Sequence, residues 1–90
     1  MKKSMKKKIS KLQLMPKFTV YSKKNCSFCD RAVALLEREN LAYVVKKVDE
    51  DLNYFHEMKQ KAPNMLTMPV IIKDDMLIGG YKELIAHLNE

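Results

Sequence analysis

Along this chain short alternating apolar runs trade places with longer helical periods. Phe18-Thr-Val-Tyr21 is rich in aromatic and β-branched residues and predicts a first strand. Residues 22–25 are polar and read as a loop. From Ser27 to about Glu39 the period lengthens: Cys29, Ala32 or Val33, and Leu36 share one face, which predicts a helix, and Asn40 suits its stop. Ala42 to Val48 predicts a second strand. Asp49, Glu50 and Asp51 then offer a cap and favourable charge to a second helix. That helix is expected to run to about Ala62, with Leu52, Phe55 and Met58 facing inward, until Pro63-Asn64 ends it. Pro69 opens the run Val70-Ile-Ile72. Lys73-Asp-Asp75 predicts a turn, and Met76-Leu-Ile78 a strand that returns as an antiparallel hairpin. Gly79-Gly80 breaks the chain before a last helix, Tyr81 to Asn89, with Leu84, Ile85 and Leu88 inward. The order is β-α-β-α-β-β-α. A helical crossover makes the first two strands parallel, so the expected class is α/β, a four-stranded mixed sheet flanked by helices.

Ninety residues suffice for one domain with a modest core. The net charge of +6 changes the picture less than its size suggests. Lysines 2, 3, 6, 7, 8, 11 and 17 stand in a segment without a single acid, and the rest of the chain is nearly neutral. We therefore divide the chain into a basic tail, 1–16, and a folded domain, 17–90. The tail reads as a solvated arm or as a weak contact for nucleic acid or an anionic membrane. No apolar core typical of a secretory signal is expected in it, and no run is long enough to insert into a bilayer. Outside the tail no nucleic-acid partner is expected.

Only two cysteines occur, as Cys26-Ser-Phe-Cys29. A bridge over two residues closes almost no loop, so a structural staple is poorly motivated. A zinc site needs more ligands at suitable spacing than His56 and His87 supply. A lone C-x-x-C between a strand and a helix reads instead as a redox pair. Cys26 would open the helix, where free N–H groups and the helix dipole favour a thiolate, and Lys23 adds positive charge nearby. Cys29 lies one turn further in and faces the core. Cys26 is thus the expected nucleophile and Cys29 the resolving thiol, at a spacing that suits a disulfide. Thr67-Met68-Pro69 is a second element: a proline ahead of a strand makes a rigid turn, sometimes cis. The methionines read as core filling or loop residues.

Tyr21-Ser-Lys-Lys-Asn-Cys-Ser-Phe-Cys29, Thr67-Met-Pro69 and Gly79-Gly-Tyr81 together resemble the glutaredoxin family, over roughly residues 17–89. The resemblance implies a thioredoxin-like fold, a cis bond before Pro69 and a glutathione-dependent thiol–disulfide oxidoreductase. It implies that Cys26 attacks a protein disulfide or a glutathione mixed disulfide and that Cys29 resolves. Lys23 would bind the glycine carboxylate of glutathione, and Phe28 would flank the sulfur. In the turn Thr67-Met68-Pro69, part of the binding site, the backbone of Met68 would pair with the cysteine of glutathione, and after Gly79-Gly80 the amides of Tyr81 and Lys82 would hold its γ-glutamyl carboxylate. Lys82-Glu83 departs from the family's commoner acidic or small pair; here Lys82 would pair with a glutathione carboxylate and Glu83 would meet the ammonium. Partners implied are glutathione and protein disulfides, ribonucleotide reductase among them, in a cytoplasmic location. Ser27 stands where the family most often has Pro. Members with Ser there sometimes share a [2Fe–2S] cluster between two subunits, in which case Cys26 would be this chain's ligand. A redoxin reduced by thioredoxin reductase is the other alternative; such proteins usually carry Trp-Ser-Gly-Phe where this chain has Gly79-Gly-Tyr81.

Overall fold

Chain direction in the sheet is set by its first strand, β1 (Lys17–Ser22), which lies at the centre of the fold. The computed structural model describes residues 17–89; the tail assigned to 1–16 lies outside the described residues. After β1 come α1 (Ser27–Arg38), β2 (Ala42–Lys47), α2 (Leu52–Lys61), β3 (Val70–Lys73), β4 (Met76–Gly79) and α3 (Tyr81–Leu88). The strands form one sheet in the order β2-β1-β3-β4. β1 runs parallel to β2, with Val20 opposite Val45, and antiparallel to β3, with Val20 opposite Ile71. The β3–β4 hairpin carries an irregularity between Ile71 and Ile72. This is the α/β arrangement expected from the hydrophobic pattern.

Alternation along the central strands divides the core in two. On one face Phe18, Val20 and Ile71 pack with Ala32 and Leu36 of α1 and Leu84 of α3. On the other, Tyr21, Val70 and Ile72 pack with Met58 of α2 and with Ala62. Each large side chain buried here stabilises the fold by about 1.5–3 kcal/mol before entropy is counted. Ala32, not Val33, is the fully buried residue of α1 at that level.

The second helix differs from expectation. Leu52 and Phe55, expected to face inward, are exposed, at 67% and 39%. Asp51 caps α2, its carboxylate accepting the Asn53 N–H at 2.8 Å. From that start the covered positions are Tyr54 and Glu57, half-buried, and Met58, with Ala62 beyond the helix end. A polar cluster holds this phase. The Tyr21 hydroxyl donates to the Glu57 carboxylate, and Lys46 Nζ donates to the same oxygen at 2.6 Å. The ammonium also sits 5.9 Å and 5.5 Å from the ring centres of Tyr21 and Tyr54. Rotating α2 to bury Leu52 and Phe55 would leave the Tyr21 hydroxyl, in an otherwise buried side chain, without its acceptor.

β1, α1 and the two loops that follow α2 and β4 position the functional residues. At the β1 end the Val48 N–H donates to the Ser22 carbonyl at 2.9 Å, and the Lys24 N–H to Asp49 at 3.1 Å. These bonds tie the segment that leads into Cys26 to the start of the α2 connection. At the opposite end the Asp74 N–H and carboxylate pair with Lys17 and tie the hairpin turn to β1.

Candidate active site

Asn25 adopts φ 57, a left-handed conformation that Asn tolerates better than most residues. The chain turns there and Cys26 becomes the N-cap of α1 with extended backbone. The Cys26 sulfur accepts the Cys29 N–H at 3.2 Å, in the role that a hydroxyl or carboxylate usually plays at a helix start. Cys26 and Cys29 are joined as a disulfide, with Cα atoms 5.3 Å apart. The two sulfurs live in different surroundings: Cys26 is half-exposed, whereas Cys29 is completely buried. A reduced sulfur at the cap meets first-turn N–H groups and the positive end of the helix dipole; one in the core meets neither.

Two loops face this helix start. The Met68–Pro69 bond is cis, and Pro69 is buried at the entrance to β3. The second loop is Gly79-Gly80. Gly79 has φ 126, which side-chain-bearing residues rarely adopt, and a Cβ there would lie 2.8 Å from Glu83 Cγ. Gly80 approaches the first loop closely: a Cβ on it would lie 3.6 Å from the Pro69 carbonyl oxygen. Gly80 is the N-cap of α3 and has no side chain to cap with. Glu83 does part of that work from the N3 position, where its Oε1 accepts the Gly80 N–H at 2.8 Å. This hydrogen bond, foremost, holds the Glu83 carboxyl below the usual carboxylate range. The N–H groups of Tyr81 and Lys82 open the helix and have no acceptor within it.

Between α1 and these loops runs a cleft of about 310 Å³, lined by Phe28, Thr67, Met68, Pro69, Gly80, Tyr81, Lys82 and Glu83. The structure thus brings together in one cleft eight residues singled out in the sequence: Phe28, the Thr67–Pro69 turn and Gly80 to Glu83. Lys23 is exposed in the loop before Cys26 and is not part of the lining. Cys29 lies in the core. Glu83, expected to be free to meet an ammonium group, already spends one oxygen on Gly80. Its spacing, three residues after a helix-opening glycine, is the signal that marks this role.

One contact was not apparent in the sequence. The half-exposed Phe28 ring stacks on Tyr81 with centroids 5.8 Å apart and planes inclined by 38°. Arg31, exposed one turn along α1, holds its guanidinium 5.2 Å from the centre of the Phe28 ring. Among the described residues no group of three or more His, Cys, Asp or Glu side chains gathers into a metal site. No helix there is long and apolar enough to cross a membrane.

Comparison with known proteins agrees with this geometry. The family model of glutaredoxin matches residues 18–78. A probable glutaredoxin of Synechocystis sp. is 33% identical over 70 residues, covering 78% of this chain and 80% of the relative. Glutaredoxin 1 of Rickettsia bellii is 33% identical over 69 residues, covering 72% of this chain and 69% of its own. Among solved structures, reduced Escherichia coli glutaredoxin superposes with a TM-score of 0.68 at 26% identity, covering 81% of this chain and 93% of that one. The dithiolic glutaredoxin 2-C-Grx1 of Trypanosoma brucei brucei reaches 0.70 at 26% identity, covering 82% and 78%. The fold these share is the thioredoxin-like one.

Proposed function

The chain belongs to the glutaredoxin family, and from that premise we propose that its reductant is glutathione and its substrates are protein disulfides and glutathione mixed disulfides. Thiol–disulfide oxidoreductase activity comes with the family. The observation that carries the finer reading is a half-exposed cap sulfur, Cys26, not itself part of the lining but two residues before Phe28 on the wall of a cleft that offers one cation, Lys82, and free N–H groups. Glutathione presents two carboxylates, one ammonium and an extended backbone. Lys82 and the amides of Tyr81 and Lys82 suit the γ-glutamyl carboxylate, Lys23 suits the glycine carboxylate, and the backbone at Met68 suits the cysteine. The Glu83 oxygen not used by Gly80 suits the ammonium.

With a protein disulfide, the Cys26 thiolate attacks one client sulfur; the client disulfide breaks, and the released thiolate takes a proton. The Cys29 thiolate then attacks the Cys26 sulfur, freeing the client as a dithiol and leaving the Cys26–Cys29 disulfide. Two glutathione molecules reduce that disulfide and leave as one glutathione disulfide. With a glutathione mixed disulfide, Cys26 takes up the glutathionyl sulfur and a second glutathione removes it, so Cys29 is not required. Clients to assay include ribonucleotide reductase, in a cytoplasmic setting where thiols are kept reduced.

The test is turnover of the mixed disulfide of glutathione and 2-mercaptoethanol, with glutathione disulfide formation as the readout. Cys26→Ser should abolish turnover. Cys29→Ser should keep it while losing reduction of a protein disulfide client. Full activity in Cys26→Ser, or no glutathione-dependent turnover by the unaltered chain, refutes the reading. Offering thioredoxin reductase in place of glutathione separates the two electron sources. Visible absorbance after anaerobic preparation with glutathione reports a cluster held through Cys26.

A further inference from the structure

We propose that Arg31 selects among protein clients, favouring disulfides flanked by an acidic residue. This rests on the reading of Cys26 as the attacking sulfur. Arg31 is exposed, yet its guanidinium is held over the face of Phe28, 5.2 Å from the ring centre. Phe28 lines the cleft and stacks in turn on Tyr81 from the opposite wall. A permanent cation is therefore held beside the cleft, on the side of α1, against a ring that lines it. A held guanidinium loses less freedom on meeting a carboxylate than a waving lysine does, and its planar fork can donate two hydrogen bonds.

The surroundings point the same way. Lys82 lines the other wall of the cleft, and Lys23 and Lys24 are exposed in the loop that delivers Cys26. Three acids lie beside these cations. Glu83 is turned back onto the Gly80 N–H, the Asp49 carboxylate accepts the Lys24 N–H, and Asp30 is exposed on α1 next to Arg31 in the chain. A client bearing Asp or Glu next to its cysteine meets Arg31 and Lys82 across the cleft; one bearing Lys there meets repulsion.

The experiment uses the full chain, reduced beforehand and freed of reductant, with no glutathione present. It is mixed with cyclic disulfide peptides identical except for Glu, Gln or Lys beside one cysteine, and peptide reduction is followed by acid quench and mass spectrometry. An exposed ion pair typically changes an equilibrium or barrier by up to about fivefold, so attraction for Glu and repulsion for Lys together give a Glu:Lys rate ratio of about tenfold at low ionic strength. Arg31→Gln should bring the ratio to about threefold, and Arg31→Lys should fall between. Phe28→Leu, which keeps apolar bulk but removes the aromatic face, should lower it as well. Near 0.5 M salt all ratios should approach one. Because each ratio is internal to one variant, any loss common to all peptides cancels. An unchanged ratio in Arg31→Gln, or a ratio near one in the unaltered chain, overturns the proposal. Selectivity without glutathione-dependent turnover would uphold it and refute glutathione as reductant. No reaction with any peptide would overturn both this proposal and the assignment of Cys26.

Discussion

Gly79 is the position where a single added methyl group should do most damage to both fold and cleft. At φ 126 an alanine is strained whatever the space around it, by about 1–3 kcal/mol. The space is also lacking: the new Cβ would lie 2.8 Å from Glu83 Cγ and 2.9 Å from Glu83 Cβ, atoms near the root of that side chain. They cannot swing away without taking the carboxylate off the Gly80 N–H. Forcing a methyl into a filled site typically costs about 1–3 kcal/mol more. The restricted unfolded chain returns about 0.4–1 kcal/mol, so Gly79→Ala should destabilise by about 1–5 kcal/mol. For a domain of this size that lowers the midpoint of thermal unfolding by roughly 4–40 °C.

Gly80→Ala supplies the comparison. Its backbone is extended, and an added Cβ would meet only the far end of Glu83 at 3.3 Å and the Pro69 carbonyl at 3.6 Å. It should cost less than about 1 kcal/mol. Thermal unfolding of the two variants by circular dichroism decides between them. A cycle with Glu83→Ala then isolates the clash, since removing that side chain should relieve part of the large penalty at Gly79 and only the small Oε1 contact at Gly80. Equal shifts in the two glycine variants, or a Gly79→Ala midpoint within about 4 °C of the unaltered chain, would show that neither φ nor crowding governs this turn.

Two further outcomes are expected. Glu57→Ala should destabilise by about 1–3 kcal/mol because the Tyr21 hydroxyl loses its acceptor, whereas Tyr21→Phe, which removes the donor instead, should cost less than about 1 kcal/mol. The Glu57 carboxyl lies below its usual range, through the hydrogen bond from Lys46 first and that from Tyr21 second. Its contribution is therefore present above the unfolded-state carboxylate pKa of about 4.3 and fades as pH falls further. Urea titrations at pH 7 and pH 3 should show the Glu57→Ala deficit shrinking in acid; a deficit that grows there contradicts the arrangement. In the glutathione assay, Lys23→Gln and Lys82→Gln should each raise KM for glutathione by roughly 3- to 10-fold with little change in kcat, an effect that weakens with added salt; a pure kcat loss would mean these lysines do not bind the tripeptide.

How much of this was legible in the sequence follows from the range of each interaction. Cys26, Cys29 and the Thr67–Pro69 turn announce themselves because their chemistry depends on neighbours within a few residues: a strand end, a helix start, a proline. The phase of α2 does not. Leu52, Phe55 and Met58 make as good an apolar stripe as Tyr54, Met58 and Ala62, and only Met58 belongs to both. The choice is made by Glu57, which must reach Tyr21 and Lys46 on two different strands. A period read along one helix contains no information about those partners.

The same distinction explains why a cleft exists at all. The parallel pairing of β1 with β2 and the β3–β4 hairpin follow from connection lengths, but the pairing of β1 with β3 joins segments separated by two helices. That pairing puts Tyr21 opposite Val70, and so brings the end of β1, which delivers Cys26, beside the start of β3, which delivers Pro69. α3 then packs Leu84 against Phe18, Val20 and Leu36, which fixes where Gly80 and Tyr81 stand relative to α1. The ring contact between Phe28 and Tyr81 is the visible consequence. The α1 and α3 walls of the cleft are thus set by core residues on the far side of the sheet from α2, while Met68, on the third wall, packs against the Tyr21–Met58 cluster on the α2 side. Mutations in the Phe18–Leu84 layer should therefore disturb the Phe28 and Gly80–Lys82 side of the cleft along with stability, whereas those in the Tyr21–Glu57 cluster should reach it only through Met68.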